Sequence, residues 1–263
     1  MNTKLIKIFF ISTIFLKNFL YFENNCLQIS KYNLHSNKIK NDYSIVHISD
    51  LHDKNFGIKQ NYLLKNIKKC KPNFIFVTGD MYDGGNEKHV LNFFNGCMKI
   101  APTYYVLGNH EEIFNNEILH KLLKKIEKSG TIILNNQIKK IDDFYIIGLK
   151  NKNSNDDTLK KILKNKENIY KILLAHKPNY ISNYIKNNID LVFSGHAHGG
   201  QWRIPFIGGL YAPDQGIFPK LTNNIHKDKN TYLVISRGLG NKTIYPRLNN
   251  RPEIVHLILK GKE

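Results

Sequence analysis

The sequence predicts an α/β fold with mixed sheets, and three observations carry that prediction. Short apolar runs rich in β-branched and aromatic residues recur along the 263 residues, separated by segments with helical spacing. The strand-like runs end in Gly, Asp, Asn or His. The composition suits one large domain: 41% hydrophobic and 23% charged residues leave a full core and argue against disorder.

The elements follow in chain order. Residues 6–22 are the one long apolar segment, with Lys4 before it, Lys7 at its start and Lys17-Asn18 interrupting it. The segment is slightly shorter than the ~20 residues of a spanning helix, and Lys17 is able to snorkel toward an interface. Glu23-Asn24-Asn25-Cys26-Leu27 offers no small-residue cleavage site. Residues 1–22 therefore read as an uncleaved signal anchor or transmembrane segment, with a cleaved signal peptide and a cytosolic apolar extension as alternatives. Lysines ahead of the segment would keep the N-terminus inside and place the rest of a single-pass protein outside the cell membrane. Residues 23–42 are polar and read as a linker, and 43–263 as the folded domain.

Within that domain a strand is expected over 44–49. A helix over 60–70 aligns Leu63, Leu64 and Ile67, and Lys71-Pro72-Asn73 stops it. A strand over 74–78, a helix over 88–97 and a strand over 103–107 follow. The helix over 115–128 puts Ile118, Leu119, Leu122, Leu123 and Ile126 on one face, and Gly130 is its C-cap candidate. Strands over 131–134 and 144–149 precede a polar loop over 151–157 and a helix over 158–165. The remaining expectations are a strand over 171–175, a helix over 179–186, and strands over 191–194, 231–236 and 254–259. Cys26, Cys70 and Cys97 form no C-x-x-C pair and read as small buried hydrophobes.

The strand ends carry the chemistry. Five runs stop at Asp50-Leu51-His52, at Gly79-Asp80, at Gly108-Asn109-His110-Glu111, at His176, and at Gly195-His196-Ala197-His198-Gly199-Gly200-Gln201. Strand ends of an α/β sheet converge in one crevice. Carboxylate, imidazole and amide donors without sulfur suit Mn, Fe or Zn. Each residue alone has an ordinary reading: Asp50 as a helix cap, Asp80 as a turn residue, Asn109 in a left-handed turn, His176 as a packed side chain. All of these would have to hold together at five strand ends, which favours a metal site.

In this order and spacing, D-x-H, G-D, G-N-H-E, a lone His and G-H-x-H resemble the calcineurin-like metallophosphoesterase family over residues 43–236. The stretches 195–211, 236–240 and 250–253 also resemble a bacterial, membrane-anchored branch of it. The resemblance implies a four-layer sandwich, two mixed sheets flanked by helices. It implies two divalent metal ions bridged by Asp80, with Asp50, His52 and His198 completing one site and Asn109, His176 and His196 the other. Such a pair activates water for attack on a phosphate ester and clamps the ester oxygens. His110 corresponds to the family's catalytic His, which protonates the leaving oxygen or stabilises the developing charge. Glu111, read from its place beside the motif, is a candidate to orient an imidazole. Gly79, Gly108 and Gly195 read as tight turns before a ligand, and Gly199-Gly200 as room for substrate.

Arg203, Tyr211, Arg237 and Arg247 are candidate contacts for a phosphate or headgroup. His35, His47, His89, His120, His226 and His256 have no motif partner and read as structural, His47 as packed inside a strand. Asp53 and Asp83 read as turn residues. The net charge of +18 reflects a Lys-, Asn- and Ile-rich composition, with only Arg203, Arg237, Arg247 and Arg251 as arginines. That is not the clustered Arg and aromatics of a nucleic-acid binder, although it favours anionic partners. The expected substrate is therefore a phosphate ester on a lipid or envelope component. A nucleotide or nucleic-acid phosphodiesterase and a non-catalytic scaffold are the alternatives, and the complete ligand set argues against the scaffold. Oligomeric state is not legible in the sequence.

Overall fold

The computed structural model describes residues 3–151, 156–241 and 246–262. In chain order it contains α1 (Thr3–Asn25), β1 (Gln28–His35), β2 (Tyr43–Ile48), α2 (Asn61–Lys69), β3 (Phe74–Thr78), α3 (Glu87–Met98), β4 (Thr103–Val106) and α4 (Asn116–Lys128). There follow β5 (Ile132–Ile133), β6 (Gln137–Ile141), β7 (Phe144–Gly148), α5 (Asp156–Leu163), β8 (Tyr170–Leu174), α6 (Ile181–Lys186) and β9 (Leu191–Ser194). The last strands are β10 (Arg203–Ile204), β11 (Gly208–Gly209), β12 (Tyr211–Ala212), β13 (Gly216–Ile217), β14 (Asn224–Asp228), β15 (Thr231–Ile235) and β16 (Glu253–Lys260). Residues 152–155 of the expected polar loop lie outside the described residues.

The main strands form two mixed six-stranded sheets, ordered β1-β16-β2-β3-β4-β5 and β14-β15-β9-β8-β7-β6. β2 to β5 run parallel and β16 runs against them. β7, β8, β9 and β15 run parallel, with antiparallel β6 and β14 at the two edges. Period-two alternation assigns the faces. Phe76 of β3 and Phe193 of β9 meet between the sheets at 5.3 Å between ring centroids. Ile75 and Val77 face the other way, into a core shared with Leu63, Ile67, Val90, Phe93, Phe94 and Ile126 of α2, α3 and α4. Val192 and Leu173 pack outward with Leu159 and Tyr184 of α5 and α6. The order is helices, sheet, sheet, helices, as expected. Both faces of the inner strands are buried, which explains their nearly continuous apolar runs.

Local chemistry sets the helix ends. Asn86 and Asn115 cap α3 and α4 by accepting from Lys88 N at 3.1 Å and Ile118 N at 2.9 Å. Gly130, at φ 94°, closes α4. Cys70 and Cys97 are buried, and Cys26 is partly so.

Two expectations for the N-terminal part are corrected. Residues 3–22 do fall on a helix, but among the described residues no helix is long and apolar enough to cross a membrane. Lys17 and Asn18 interrupt α1 in mid-helix, and Glu23 lies near its end. The expected linker contains β1, which pairs in parallel with β16 over its full length. Its polar face is exposed, as an edge strand permits.

Candidate metal centre

β2, β3 and β4 of one sheet and β8 and β9 of the other deliver their C-terminal ends to one crevice. Asp50 and His52 follow β2, Asp80 follows β3, Asn109 and His110 follow β4, His176 follows β8, and His196 and His198 follow β9. Asp80, His176 and His196 offer ligand atoms within 4.8 Å of one another, and so do Asp50, His52 and His198. The structure thus brings together all seven residues expected at the metals, Asn109 joining through His176.

Hydrogen bonds fix the imidazoles. His176 Nδ1 lies 2.6 Å from the Thr78 carbonyl, which only accepts, so that nitrogen carries the proton. His196 Nε2 lies 3.0 Å from the Asp214 carboxylate and donates to it. The remaining nitrogens, His176 Nε2 and His196 Nδ1, face each other at 3.2 Å. Asp80 Oδ2 is 3.1 Å and Asn109 Oδ1 3.0 Å from the same His176 Nε2. When both imidazoles are neutral, four acceptor atoms converge there, an arrangement that a cation satisfies. In the other cluster His52 Nε2 and His198 Nε2 stand 3.2 Å apart, and Asp50 Oδ1 is 3.7 Å from His198 Nε2. Donor chemistry and geometry both fit divalent metals.

The electrostatics agree. Burial pulls the His176 imidazole down, but the carboxylates of Asp80 and Asp50 outweigh it and push it up to about 9. Burial opposes ionisation of Asp80, yet the charge and hydrogen bond of His176 hold it well below the usual carboxylate range. Burial and the neighbouring His176 lower His196 to about 4, and burial with His52 lowers His198.

Backbone strain marks the site. Asp50, His52, Asp80, His196 and His198 all have φ between 46° and 68°, the left-handed region. Gly108 and Gly195 do not have positive φ, contrary to the expected turn role. They are needed for close approach, because a Cβ at Gly108 would overlap the Asp80 carboxylate and one at Gly195 would overlap Ser49 Oγ.

Glu111 differs from its expected role. It touches no imidazole and instead accepts backbone N–H groups of Asp80 at 3.0 Å, Tyr82 at 3.1 Å, Gly108 at 2.9 Å and Met81 at 2.5 Å. It holds the loop that presents Asp80. His110 Nδ1 is 2.8 Å from Asp83 Oδ1, and its Nε2 is 3.8 Å from Asp80 Oδ2. Asp83, read from sequence as a turn residue, therefore sits at the site, and His52, Asp83 and His110 form a third cluster. Asp53 does serve the turn, accepting from Asp83 N and Gly85 N. The G-D-x-x-D spacing was the available signal for Asp83. Asp214, on the loop between β12 and β13, had none.

A cavity of about 200 Å³ opens over the centre, lined by Asp80, Asn109, His110, His196, His198, Gln201, Tyr211 and Pro213. Of the four candidate substrate contacts only Tyr211 lines it. Arg247 is fully buried and bonds Gly240 O, Asn250 O and Asn241 Oδ1. Arg237 pairs with Glu253 at 3.1 Å. Arg203 bonds Gly199 O and Thr222 Oγ1. These arginines tie down the loops behind the pocket. His47 is packed as expected, with Nε2 2.7 Å from Thr78 Oγ1.

Fold, cluster and sequence together define a metal-dependent phosphoesterase. The calcineurin-like phosphoesterase profile matches residues 43–200, and the chain belongs to that family. It is 32% identical to the uncharacterized metallophosphoesterase Cj0846 of Campylobacter jejuni, covering 97% of this chain and 71% of that one. It is 26% identical to the phosphodiesterase YaeI of Escherichia coli, covering 82% of each. Among solved structures, TT1561 of Thermus thermophilus shares the fold at a TM-score of 0.50 and 13% identity, covering 75% of this chain and 90% of that one.

Proposed function

We propose that this chain is a dinuclear phosphoesterase that hydrolyses a phosphate ester of a lipid or envelope component, held at the outer face of the cell membrane by α1. The observation that carries the reading is the convergence of carboxylate, amide and imidazole ligand atoms from both sheets around Asp80, with His110 beside them. Asp80 would bridge two ions, with Asp50, His52 and His198 on one and Asn109, His176 and His196 on the other. When bound, two divalent ions supply water activation and charge neutralisation on the phosphoryl group. Asp83 fixes His110 through Nδ1 and leaves Nε2 beside the cavity, where it would hand a proton to the leaving oxygen. Asp214 orients His196 from the far side.

The cavity, about 200 Å³, is smaller than the ~300–1,000 Å³ that encloses a whole drug-sized ligand. It suits a phosphoryl group with its nearest atoms, leaving the remainder of the ester outside. Exposed apolar side chains on α1, among them Phe9, Phe15 and Tyr21, support membrane attachment. The name of YaeI supports trying a diester first.

The test is hydrolysis of bis-p-nitrophenyl phosphate and p-nitrophenyl phosphate by the full chain with Mn²⁺, with Zn²⁺ and with chelator. Chelator-sensitive turnover that disappears in Asp80→Asn is expected. Turnover that persists in Asp80→Asn with full metal content would overturn the assignment.

A further inference from the structure

Beyond the pocket mouth the chain builds two small hairpins, β10–β11 and β12–β13, immediately after the loop that carries His196 and His198. They form an apolar cap. Ile204, Phe206, Ile207, Ile217 and Phe218 are 38–109% exposed within the fifteen residues 204–218. Single exposed hydrophobics are ordinary, but a cluster of this density marks an interaction surface. Phe206 and Phe218 are also held at φ 67° and 53°. Bulky side chains rarely adopt that region, so the backbone is strained while both rings project into water. Tyr211 belongs to the cap and to the pocket wall at once.

The cap is coupled to α1 through one strip of chain, residues 246–251. On one side Asn24 accepts from Arg247 N at 2.8 Å, Glu23 accepts from Asn250 N at 2.9 Å, and the Arg251 guanidinium stacks 4.5 Å from the Phe22 ring centroid. On the other side Trp202 Nε1 donates to Pro246 O at 2.8 Å and Arg203 N to Leu248 O at 2.9 Å. Two exposed apolar features are thereby fixed to the same support. The charge around them is basic: Arg203 and Lys220 flank the cap, and Lys7 and Lys17 are exposed on α1. Asp214, the one acid between residues 202 and 220, is engaged by His196 and Lys177.

We propose that the cap and α1 form one docking face for an anionic phospholipid bilayer, with the pocket opening at the lipid surface. The cap rings enter the acyl boundary, the lysines meet the headgroups, and the phosphate ester reaches the pocket past Tyr211 while its apolar tail stays in the bilayer. The substrate class rests on the phosphoesterase reading; the docking does not.

Trp202 is the single tryptophan of the chain and stands at the base of the cap, so its fluorescence reports on this face. Full-length protein is mixed with vesicles of phosphatidylcholine alone or with phosphatidylglycerol, each brominated along the acyl chains. The expected result is a blue shift and quenching of Trp202 that is strongest with the anionic vesicles. The double variant Phe206→Asp, Phe218→Asp loses the quenching and partitions more weakly, roughly tenfold per ring removed. Its hydrolysis of soluble bis-p-nitrophenyl phosphate with Mn²⁺ is unchanged. Wild-type protein that floats with vesicles while Trp202 stays unquenched would mean that α1 docks alone, and the cap proposal fails. A dimer in sedimentation that the double variant dissociates, without vesicle binding, would assign the face to a second copy and also overturn it. Quenched Trp202 without any hydrolysis of the soluble ester would leave the docking intact and remove the phosphoesterase reading.

Discussion

At the scale of the residue, the site places its strain on its own candidate ligands. Asp50, His52, Asp80, His196 and His198 each adopt the left-handed region, at roughly 1–3 kcal/mol apiece for non-glycine residues. Hydrogen bonds hold them there: His196 N donates to the Asp50 carboxylate at 3.1 Å, His110 N to Asp80 at 2.9 Å, and Asp80 N to Glu111 at 3.0 Å. His110 is the one imidazole whose place suits proton transfer without any ligand role expected of it. His110→Ala should keep the metal content while slowing turnover by roughly 10²–10⁴-fold, most for esters whose leaving group needs a proton. Metal analysis beside kinetics on alkyl and nitrophenyl esters checks this, and an equal effect on both esters would remove the acid role. The residues that converge at the candidate centre were legible in sequence because each follows a recognisable apolar run. Glu111 was legible as important but not in its role, since its partners are backbone N–H groups that carry no sequence signal. The arginines misled because guanidinium groups suit phosphates and buried carbonyls equally well.

At the scale of the element, helices with one apolar face and strands buried on both faces were readable to within a few residues. α2 and α4 align Leu63 and Ile67, and Leu122 and Ile126, against the first sheet, as their spacing predicts, and α3 adds Val90 and Cys97. β1 was not readable, because Gln28–His35 alternates polar residues at an edge and its parallel partner lies more than two hundred residues away. β10 to β13 were hidden by Gly and Pro, which read as loop. β2 was readable, and His47 inside it has a measurable consequence. Burial between the sheets, against Phe193 at 5.1 Å, lowers its imidazole from 6.5 to about 3. Below pH 6.5 the unfolded chain takes up a proton that the folded chain refuses. Stability therefore falls as pH falls, until the folded imidazole also protonates near pH 3. This one group should remove about 2 kcal/mol by pH 5. Urea melts of wild type and His47→Phe across pH 5–7 test it. The variant keeps the ring contact and should show a shallower acid limb, and identical limbs would contradict the assignment.

At the scale of the whole molecule, the centre joins the two sheets as well as offering chemistry. Asp50, His52, Asp80 and Asn109 come from one sheet, and His176, His196 and His198 from the other. Protein contacts already cross at this edge. His176 Nδ1 donates to Thr78 O at 2.6 Å, and Leu239 N donates to Ser49 O at 3.1 Å from the far side of β15. Between them lie the buried carboxylates of Asp50 and Asp80, which no lysine or arginine contacts among the described residues. Ions bound only by the assembled crevice stabilise the folded state by mass action, about 2.7 kcal/mol per site at a hundred times the dissociation constant. For a chain of this size that is a rise in melting temperature of roughly 5–10 °C for one site. Chelator should lower the melting temperature, and Mn²⁺ should restore it. Asp80→Asn should melt at the same temperature with and without Mn²⁺ if its carboxylate is the bridge. Hydrogen exchange locates the effect: the amides of Gly195 and His196, bonded to His176 O and Asp50, should lose protection on chelation before those of the central strands. Uniform loss of protection across both sheets would mean that the ions support the whole fold. No change with chelator would mean that the sheets hold together through their apolar interface alone, leaving the ions a purely chemical part.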